Sequence, residues 1–261
     1  MNLITSVSNT KIKQIVKLAN SRAYRYELGL AVIYGRHLIE ESIKYDLLDS
    51  VFISQAKSDD NEFILQNIST DKIYFVNDDV LSKINVSDSV TDIVGLIRIE
   101  SGAINDEVYE NDCVILDNIQ DPGNLGTILR SCAACNISNI ILSKSCVDPY
   151  NIKVLRASQG IQFDLNIIIS ADIATFIDNY KYEVIATMPD ARESIYAHEL
   201  CEPCAWLFGN EGSGISTSLL SSRTHQLTIP MPGKAESLNV AMAVTICLFE
   251  MLRQRTFVIP A

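Results

Sequence analysis

The sequence predicts an α/β protein, because segments with strand periodicity alternate with segments of helical periodicity along the whole chain. Several strand-like segments, such as VIL and AWLF, are apolar without interruption, which is typical of parallel strands covered on both faces. Hydrophobic residues make up 48% of the 261 residues, so a packed core is expected and not a disordered chain. We therefore expect sheets flanked by helices.

The first predicted domain covers residues 1–100. Helices are expected at residues 9–19, 37–45 and 62–68, with a further short helix after the strand KIYFV. The strands of this domain read AVIY, SVFIS, KIYFV and DIVGLIRI. The segment ESGAINDEVYEND that follows is polar, acidic and aperiodic, so we predict a linker at residues 101–111.

The second predicted domain covers residues 112–261 and repeats the alternation. Its strands read CVILD, NIIL, LNIII, YEVIATM, AWLFG and HQLTIP. Its helices are expected at residues 125–135, 152–159, 171–179 and 237–254, with a short helix after Gly214. Alternating strands and helices predict a parallel sheet in each domain.

Turn-forming residues follow the strand VILD in the segment LDNIQDPGNLGTILRSC. Gly123 and Gly126 permit a tight turn and a close approach of the backbone to a partner, and Asp121 or Asn124 can cap the next helix. A simple strand-to-helix turn also accounts for these residues. It does not account for Arg130, because its apolar neighbours predict a buried helix, in which an arginine needs a partner.

A second glycine-rich loop, WLFGNEGSGIS at residues 206–216, ends another apolar strand and carries Asn210 and Glu211. Its glycines have the order of neither the dinucleotide-binding fingerprint nor the Walker phosphate loop. A glycine loop at this place indicates a cradle for a nucleotide-like ligand, although one such loop alone is weak support.

A third segment, IPMPGKAESLNVAMAV at residues 229–244, joins a strand to the last helix. Ser237 is expected to cap that helix. The helix carries an apolar stripe of the kind found in a core or in a subunit interface. The stripe consists of Leu238, Ala241, Val244, Leu248 and Leu252.

The seven cysteines are predicted to be reduced thiols, since their number is odd and no export signal is apparent. Two CxxC pairs, at residues 132/135 and 201/204, lie further apart than the ~15–20 residues that separate the pairs of a compact zinc site. We therefore predict buried, small apolar side chains and no bound metal.

The net charge of −11 argues against a nucleic-acid partner, because phosphate binding is largely electrostatic. The charge is uneven, however, since no carboxylate precedes Glu27 while basic residues are frequent there. These basic residues are Lys11, Lys13, Lys17, Arg22 and Arg25. Lys153 and Arg156 form a second basic pair, which indicates either an anion site or a solvated helix face.

Membrane and export segments are not expected. No apolar run approaches the ~18–20 residues that cross a bilayer, and the segment MNLITSVSNTKIKQ lacks the apolar core of a secretory signal. The sequence therefore predicts a cytoplasmic protein.

Four motifs follow one another in the second domain. They read N-x-x-D-P-x-N-x-G-x-I-x-R, D-P-Y-N-x-K-V-x-R-A-S-x-G, L-F-G-N-E-G-x-G and I-P-M-x-G-x-x-E-S-L-N-V. Through these motifs residues 112–255 resemble the SpoU (TrmH-like) family of RNA ribose 2'-O-methyltransferases, part of the SPOUT superfamily. The first domain, which contains SNTKIKQIVKL, is similar to the L30e-like substrate-binding domain of the ribosomal-RNA members.

The resemblance implies a SPOUT α/β domain with a C-terminal trefoil knot that holds S-adenosylmethionine. Backbone contacts to this cofactor are implied for Gly209, Ile229 and Leu238. The whole set of implied cofactor-binding residues is Leu207, Gly209, Asn210, Gly212, Ile229, Met231, Ser237, Leu238 and Asn239. A homodimer with the last helix in its interface is also implied.

The resemblance assigns catalysis to Arg130, with Glu211, Asn124 and Asn239 beside it. An arginine, whose pKa exceeds ~12, is a poor base, so we expect it to bind a phosphate or to stabilise a developing alkoxide. Glu211 is expected to orient Arg130 or to accept a hydrogen bond. The two asparagines are expected to hydrogen-bond the sugar or the methionine moiety.

The predicted activity is methylation of a ribose 2'-hydroxyl in RNA, and the extra N-terminal domain favours ribosomal RNA. A transfer-RNA methyltransferase and a catalytically silent RNA-binding or ribosome-assembly protein on the same fold stay open as alternatives. The predicted RNA-binding residues are Lys11, Lys13, Lys17, Arg22, Arg25, Lys153 and Arg156.

Overall fold

The chain folds into two compact units in the computed structural model, which describes residues 2–57, 59–86 and 91–256. The first unit comprises Met1–Glu100 and Asp148–Phe163, and the second comprises Ser101–Val147 and Asp164–Ala261. The sequence analysis assigns residues 148–163 to the second domain, whereas the structure includes this segment in the first unit. Residues 257–261 of the predicted second domain lie outside the described residues.

The first unit combines a five-stranded sheet with short helices, numbered here along the whole chain. Its strands are β1 (Asn2–Ile4), β2 (Leu30–Tyr34), β3 (Leu48–Ser54), β4 (Ile73–Val76) and β5 (Ile93–Arg98). Its helices are α1 (Thr10–Asn20), α2 (Arg22–Leu28), α3 (Arg36–Lys44), α4 (Glu62–Asn67), α5 (Asp78–Ile84) and α7 (Ile152–Ser158).

The first sheet is mixed, which corrects the prediction of a parallel sheet. Its strand order is β1-β4-β3-β5-β2, and β5 runs antiparallel to both β2 and β3. Alternating strands and helices imply parallel strands only where the segment between two strands runs back along the sheet, so that both strands begin at the same edge. Helix α5 has seven residues, about 10 Å of helix, and residues 85–92 separate it from β5, so the pattern leaves the direction of β5 open.

Helix α1 packs its apolar face on this sheet. The Asn9 side chain begins the helix by accepting a hydrogen bond from the Lys11 backbone N–H at 2.9 Å. Ile12, Ile15 and Leu18 are fully buried in a cluster with residues of β2, β3 and β5. The three-residue spacing of these side chains turns the lysines of α1 toward solvent.

Arg25 of α2 is buried, which corrects its prediction as an RNA-binding residue. Its guanidinium pairs with the Asp148 carboxylate, Nε donating to Oδ2 at 2.8 Å, and Nη1 donates to the Leu18 carbonyl at 2.7 Å. The Tyr26 hydroxyl donates to Asp148 Oδ1 at 2.7 Å, and burial together with the Asp148 charge raises the pKa of Tyr26. Both side chains of the ion pair are 4% exposed, so this guanidinium is not available to a phosphate.

The second unit is built on a seven-stranded sheet. Its strands are β6 (Cys113–Leu116), β7 (Asn139–Ser143), β8 (Asn166–Ala171), β9 (Glu183–Thr187), β10 (Glu193–Ser194), β11 (Cys204–Phe208) and β12 (Thr224–Thr228). Its helices are α6 (Pro122–Ala134), α8 (Ile173–Asn179) and α9 (Val240–Thr256). Within the described parts of both units, no helix has the length and apolar character that a membrane crossing requires.

The second sheet is parallel throughout, as the sequence predicts. Its order is β10-β12-β9-β11-β6-β7-β8, and each neighbouring pair of strands is parallel. The carboxyl ends of β12, β9, β11 and β6 therefore lie side by side at one edge. Open parallel sheets bind their ligands at this edge, so the fold itself indicates where a site belongs.

Helix α9 begins three residues later than predicted, because Asn239 caps it and Ser237 does not. Asn239 Oδ1 accepts hydrogen bonds from the backbone N–H groups of Ala241 and Met242 at 3.0 and 3.3 Å. Asparagine is as good a cap as serine, and the sequence ESLN offers both, so the pattern alone does not choose between them.

Three residues of the predicted apolar stripe belong to the core of the second unit, whereas Leu238 precedes α9 and Leu252 is partly buried. Ala241, Val244 and Leu248 are at most 3% exposed. Helix α6 packs on α9, and the hydroxyl groups of Ser131 and Thr245 lie 2.7 Å apart between the two helices. The burial of these three side chains is thus accounted for within one chain.

Six of the seven cysteines are buried, and Cys201 is exposed. Burial raises the pKa of Cys204 to about 12. A thiol with so high a pKa is a poor nucleophile and a poor metal ligand at neutral pH. The buried thiols therefore act as small apolar side chains, as predicted.

Replacing Arg25 with alanine is expected to destabilise the protein by about 3–5 kcal/mol, because the buried Asp148 carboxylate would lose its partner. Urea denaturation measures this loss. Lys44→Ala is the matched control, since Lys44 pairs with Glu41 at the surface and its side chain is 63% exposed. We expect that control to change the stability little, because exposed ion pairs contribute little to folding. Equal losses in the two variants would contradict the assigned role of the buried pair.

Candidate active site

The glycine loop after β11 is organised by one side chain, that of Asn210. Its Oδ1 atom accepts hydrogen bonds from the backbone N–H groups of Gly212 and Ser213 at 2.9 and 3.0 Å. Its backbone pairs with that of Gly214 in both directions, at 2.9 and 3.0 Å. Gly209 precedes this turn so closely that an added Cβ would lie 2.2 Å from the Gly214 carbonyl carbon. Glycine is therefore required at 209 by the loop's own backbone.

Two residues at the end of β6 hold this loop at both of its ends. Asn210 Nδ2 donates to the Asn118 carbonyl at 2.8 Å. At the other end, Asp117 Oδ2 accepts from the backbone N–H and the hydroxyl of Ser216 at 3.0 and 2.6 Å. Asp117 is 6% exposed, so these are buried, charge-assisted hydrogen bonds. The sequence analysis missed Asp117, although a carboxylate at the end of the strand CVILD was a signal for it.

A cavity of about 410 Å³ opens at the carboxyl edge of the second sheet. The glycine loop, the segment after β12 and the start of α9 all contribute to its wall. Among the residues predicted to bind a cofactor, those that line the cavity are Gly209, Asn210, Gly212, Ile229, Met231, Ser237 and Leu238. Two predicted residues do not line it: Leu207 is fully buried inside β11, and Asn239 caps α9.

Part of the cavity wall comes from residues that the sequence analysis did not predict. Thr187 is the last residue of β9, the strand between β11 and β12 in the sheet, and Met188 and Pro189 follow it. The strand YEVIATM was predicted, but its place between the other two is a property of the sheet order. Once the strand order is known, these residues are expected at the site, because open parallel sheets bind ligands at the carboxyl ends of their strands.

A chain of side-chain hydrogen bonds joins three residues predicted to act in catalysis. Asn239 Nδ2 donates to Asn124 Oδ1 at 2.9 Å, and Asn124 Nδ2 donates to Glu211 Oε1 at 2.9 Å. Helix α6 begins at this place, where Asp121 accepts a hydrogen bond from the Asn124 backbone N–H at 2.8 Å. The three residues thus connect the glycine loop, the start of α6 and the start of α9.

Arg130 is exposed, which corrects the expectation of a buried guanidinium that needs a partner. It lies on the solvent side of α6 with Gly123 and Thr127, which precede it by seven and three residues along the helix. It makes no hydrogen bond or ion pair with any residue that the structure describes. The Glu211 carboxylate contacts Asn124 and Asn210, so it does not orient Arg130 in this structure.

The basic residues of the first unit are exposed in part and are interleaved with tyrosines. Lys17 Nζ lies 3.8 Å from the centroid of the Tyr24 ring, and the Arg22 guanidinium lies 5.9 Å from that of Tyr26. Lys11 Nζ lies 4.8 Å from the Tyr74 ring. Of the other predicted residues, Lys13, Lys153 and Arg156 are exposed, whereas Arg25 is buried as described above.

Comparison with known proteins connects this cavity to a family. Residues 112–249 match the SpoU rRNA Methylase family. A protein of Synechocystis sp., described as an uncharacterized tRNA/rRNA methyltransferase, is 30% identical over 97% of this chain and 94% of its own. The 23S rRNA (guanosine(2553)-2'-O)-methyltransferase RlmP of Bacillus subtilis is 27% identical over 96% of this chain and 99% of its own.

Solved structures agree with the sequence relatives. The crystal structure of an AdoMet-bound rRNA methyltransferase from Sinorhizobium meliloti superposes with a TM-score of 0.84. It is 25% identical in sequence, and the match covers 98% of each chain. The cavity, the order of its loops and these matches together confirm the predicted resemblance: this chain belongs to the SpoU rRNA methylase family.

Proposed function

We propose that this chain transfers the methyl group of S-adenosylmethionine to a ribose 2'-hydroxyl of ribosomal RNA. One observation carries the proposal. In a member of the SpoU family, the loops at residues 209–216 and 229–239 come together around one cavity at the carboxyl edge of a parallel sheet. Relatives named as rRNA methyltransferases over nearly the whole chain support the same reaction.

The residues of the cavity fit this cofactor. Its volume of about 410 Å³ is within the usual range for small-molecule sites, roughly 300–1,000 Å³. Met188, Leu220 and Leu238 provide apolar surface for an adenine ring and a methionine side chain. Gly209, Gly212 and Gly214 expose backbone in place of side chains, which suits hydrogen bonds to a polar ligand. When bound, the cofactor supplies an electrophilic methyl group on a sulfonium sulfur.

The chain's own groups have separate tasks in this proposal. Arg130 is available to RNA because no described residue engages it, so it binds a phosphate and stabilises negative charge that develops on the ribose oxygen. Glu211 is the one carboxylate among the described residues that line the cavity, and it accepts a hydrogen bond at the cavity mouth. Asn124 and Asn239 hold Glu211 in place and present amide groups to the sugar.

The finer structural features implied by the resemblance belong to the same proposal. An L30e-like first domain and a C-terminal trefoil knot are supported by the near-complete overlap with solved members of the family. The knot is also supported by residues 229–239, which share a cavity with the glycine loop before α9 packs on α6. The cytoplasmic location stays a prediction.

A homodimer is proposed through a different face of α9 from the one predicted. The Leu238 to Leu252 stripe contributes to the core, but Met242 and Phe249 are 59% and 47% exposed. They lie seven residues apart, on one side of the helix. Large apolar side chains in this arrangement support a contact with a second copy of the chain.

The reaction is tested with methyl-labelled S-adenosylmethionine and purified ribosomal and transfer RNA. The expected product is label in ribosomal RNA at a linkage that resists alkaline hydrolysis, because a methylated 2'-oxygen cannot attack the adjacent phosphate. Label in transfer RNA alone would favour the first alternative. Cofactor binding without transfer to either RNA would favour a silent RNA-binding protein.

Gly209→Ala is expected to weaken S-adenosylmethionine binding by about tenfold or more, which is about 1.4 kcal/mol or more. The reason is the clash of the new Cβ with the Gly214 carbonyl carbon at 2.2 Å, which opens the loop. Calorimetric titration measures the affinity. Gly233→Ala is the control, because a Cβ there meets no atom within 4 Å and its affinity should stay at the wild-type value. Wild-type affinity in Gly209→Ala would remove the glycine loop from the cofactor site.

Arg130→Ala is expected to lower the single-turnover rate of methylation by roughly 100-fold or more, since a charge-assisted contact to the nucleotide is lost. Arg130→Lys should restore little, because an ammonium group does not reproduce the planar fork. An exposed, unpaired side chain contributes little to folding, so melting temperature and cofactor affinity should not change. A wild-type rate in Arg130→Ala would exclude the proposed role.

Changing Lys13, Lys17 and Arg22 together to glutamate is expected to weaken RNA binding and to make it less sensitive to salt. Three lost phosphate contacts would reduce the slope of log affinity against log salt by roughly 2–3. Filter binding at several salt concentrations measures this slope. Lys44→Glu serves as a charge control from α3. An unchanged slope in the triple variant would move the RNA site to Lys153 and Arg156.

A further inference from the structure

Two histidines and two glutamates meet at the edge of the second sheet where β9, β10 and β12 begin. Glu183 is the first residue of β9, Glu193 is the first of β10, and His225 is the second of β12. His198 lies after β10 in the chain. The cofactor cavity is lined by Thr187, at the other end of β9, so this cluster stands apart from the proposed active site.

The register of the strands explains why these side chains share one face. Strand β12 lies between β9 and β10, with His225 opposite Ile185 and Leu227 opposite Glu193. Residues two apart along a strand face the same way. Glu183 and Glu193 therefore lie diagonally on either side of His225, at a separation that long side chains span.

Each histidine ring directs its two nitrogens at two different carboxylates. Glu193 reaches His198 Nδ1 and His225 Nε2, both at 2.9 Å and with one oxygen each. Glu183 reaches the opposite nitrogens, His198 Nε2 at 2.8 Å and His225 Nδ1 at 3.3 Å. The ring centroids are 4.7 Å apart. One carboxylate thus bridges one pair of ring nitrogens, and the second carboxylate bridges the other pair.

We propose that Glu193, His198 and His225 bind a Zn²⁺ ion, with Glu183 holding the outer nitrogens of both imidazoles. Their candidate ligand atoms all lie within 4.8 Å of one another. Around a tetrahedral Zn²⁺ with bonds of 2.0–2.1 Å, neighbouring ligand atoms lie about 3.3 Å apart. Glu193 lies 2.9 Å from each coordinating nitrogen through a different oxygen, so binding requires small side-chain rotations that bring one oxygen and the two nitrogens, now within 4.8 Å of one another, onto the ion.

The role of Glu183 follows from the chemistry of imidazole ligands. A zinc-bound histidine donates its second N–H to a carboxylate or carbonyl, which fixes the ring and raises its basicity. Glu183 is placed to accept that hydrogen bond from both rings. Two imidazoles and a carboxylate are a ligand set that zinc uses, and a water molecule completes four-coordination. All four side chains are partly exposed, so solvent reaches the site.

A bound ion would connect the sheet edge to the C-terminal helix. The carbonyl oxygen of His198 accepts a hydrogen bond from Gln254 Nε2 at 3.1 Å, and Arg255 Nε donates to the Leu200 carbonyl at 2.8 Å. These contacts hold the end of α9 on the segment that carries His198. The proposed ion is therefore structural, and it does not depend on the proposed methyl transfer.

This group has no local signature in the sequence, because its ligands are not the paired cysteines and do not all lie close together in the chain. Glu193, His198 and His225 are separated by four and 26 residues, and their meeting depends on the order β10-β12-β9. The spacing of these three residues along the chain therefore does not indicate a metal site.

Calorimetric titration of chelator-treated protein with zinc chloride tests the proposal. We expect one Zn²⁺ per chain with a dissociation constant in the micromolar range or below, and a melting temperature that rises with zinc concentration. Glu193→Gln should weaken binding by at least about 100-fold through loss of a ligand. Glu183→Gln, which keeps the ligands, should weaken it by about 10–100-fold. Both substitutions preserve side-chain shape.

Two control variants separate this site from other zinc-binding groups. His37→Gln changes the histidine of the first unit, and Cys201→Ser removes the exposed thiol. Both should bind Zn²⁺ as the wild type does. Cobalt(II) in place of zinc should show visible ligand-field bands without intense thiolate charge transfer.

Two results would overturn the proposal. One is wild-type protein that binds no Zn²⁺ at 100-fold molar excess, in which case the cluster is a set of histidine–glutamate ion pairs. The other is binding that is lost in Cys201→Ser and retained in Glu193→Gln.

Discussion

The shape of the candidate active-site cavity depends on the attachment of one loop to the end of one strand. Asn210 and Ser216 begin and end the glycine loop, and both are held by β6, through the Asn118 carbonyl and the Asp117 carboxylate. A carboxylate with 6% exposure is costly to bury, and the hydrogen bonds from Ser216 offset that cost only while the loop is closed. The cavity wall is thereby attached to an interior strand of the sheet, and strands hold a site more precisely than loops do.

Most polar groups at the site stabilise the fold and also have a part in the proposed reaction. The Asn239 amide caps α9 with its oxygen and donates to Asn124 with its nitrogen, and Asn124 in turn donates to Glu211. Substituting any one of them would change several elements together, so a rate loss in such a variant would not identify a chemical role. Arg130 differs, because no described residue engages it. A rate loss there can be assigned to contacts with the substrate.

The sequence predicted the helices and strands better than the exposure and the partners of their side chains. The resemblance implied one site at the three polar strand ends, and the structure brings these ends together, because parallel strands bring their carboxyl ends to one edge of the sheet. Exposure was harder to predict. Arg130 has buried neighbours in sequence, yet a helix turns by 100° per residue and places it on the opposite face. Arg25 stands among basic residues, but Asp148, 123 residues later, pairs with it. Partners so distant in the chain leave no local pattern, and the same holds for the glutamates around His225.

The acidic composition is compatible with an RNA substrate if the electrostatics are considered locally. At physiological ionic strength charges are screened over about 8 Å, so a phosphate responds to the nearest side chains and not to the net charge of −11. Burial of Arg25 with Asp148 removes one cation from the basic stretch, and two of the lysines that remain, Lys11 and Lys17, lie against tyrosine rings. Such a surface combines cations with faces on which bases can stack. A protein with few exposed cations and an otherwise acidic surface, which repels phosphates, binds RNA in general weakly. Its affinity must therefore come from the fit to a particular RNA shape. That constraint favours a folded ribosomal RNA element over any accessible strand.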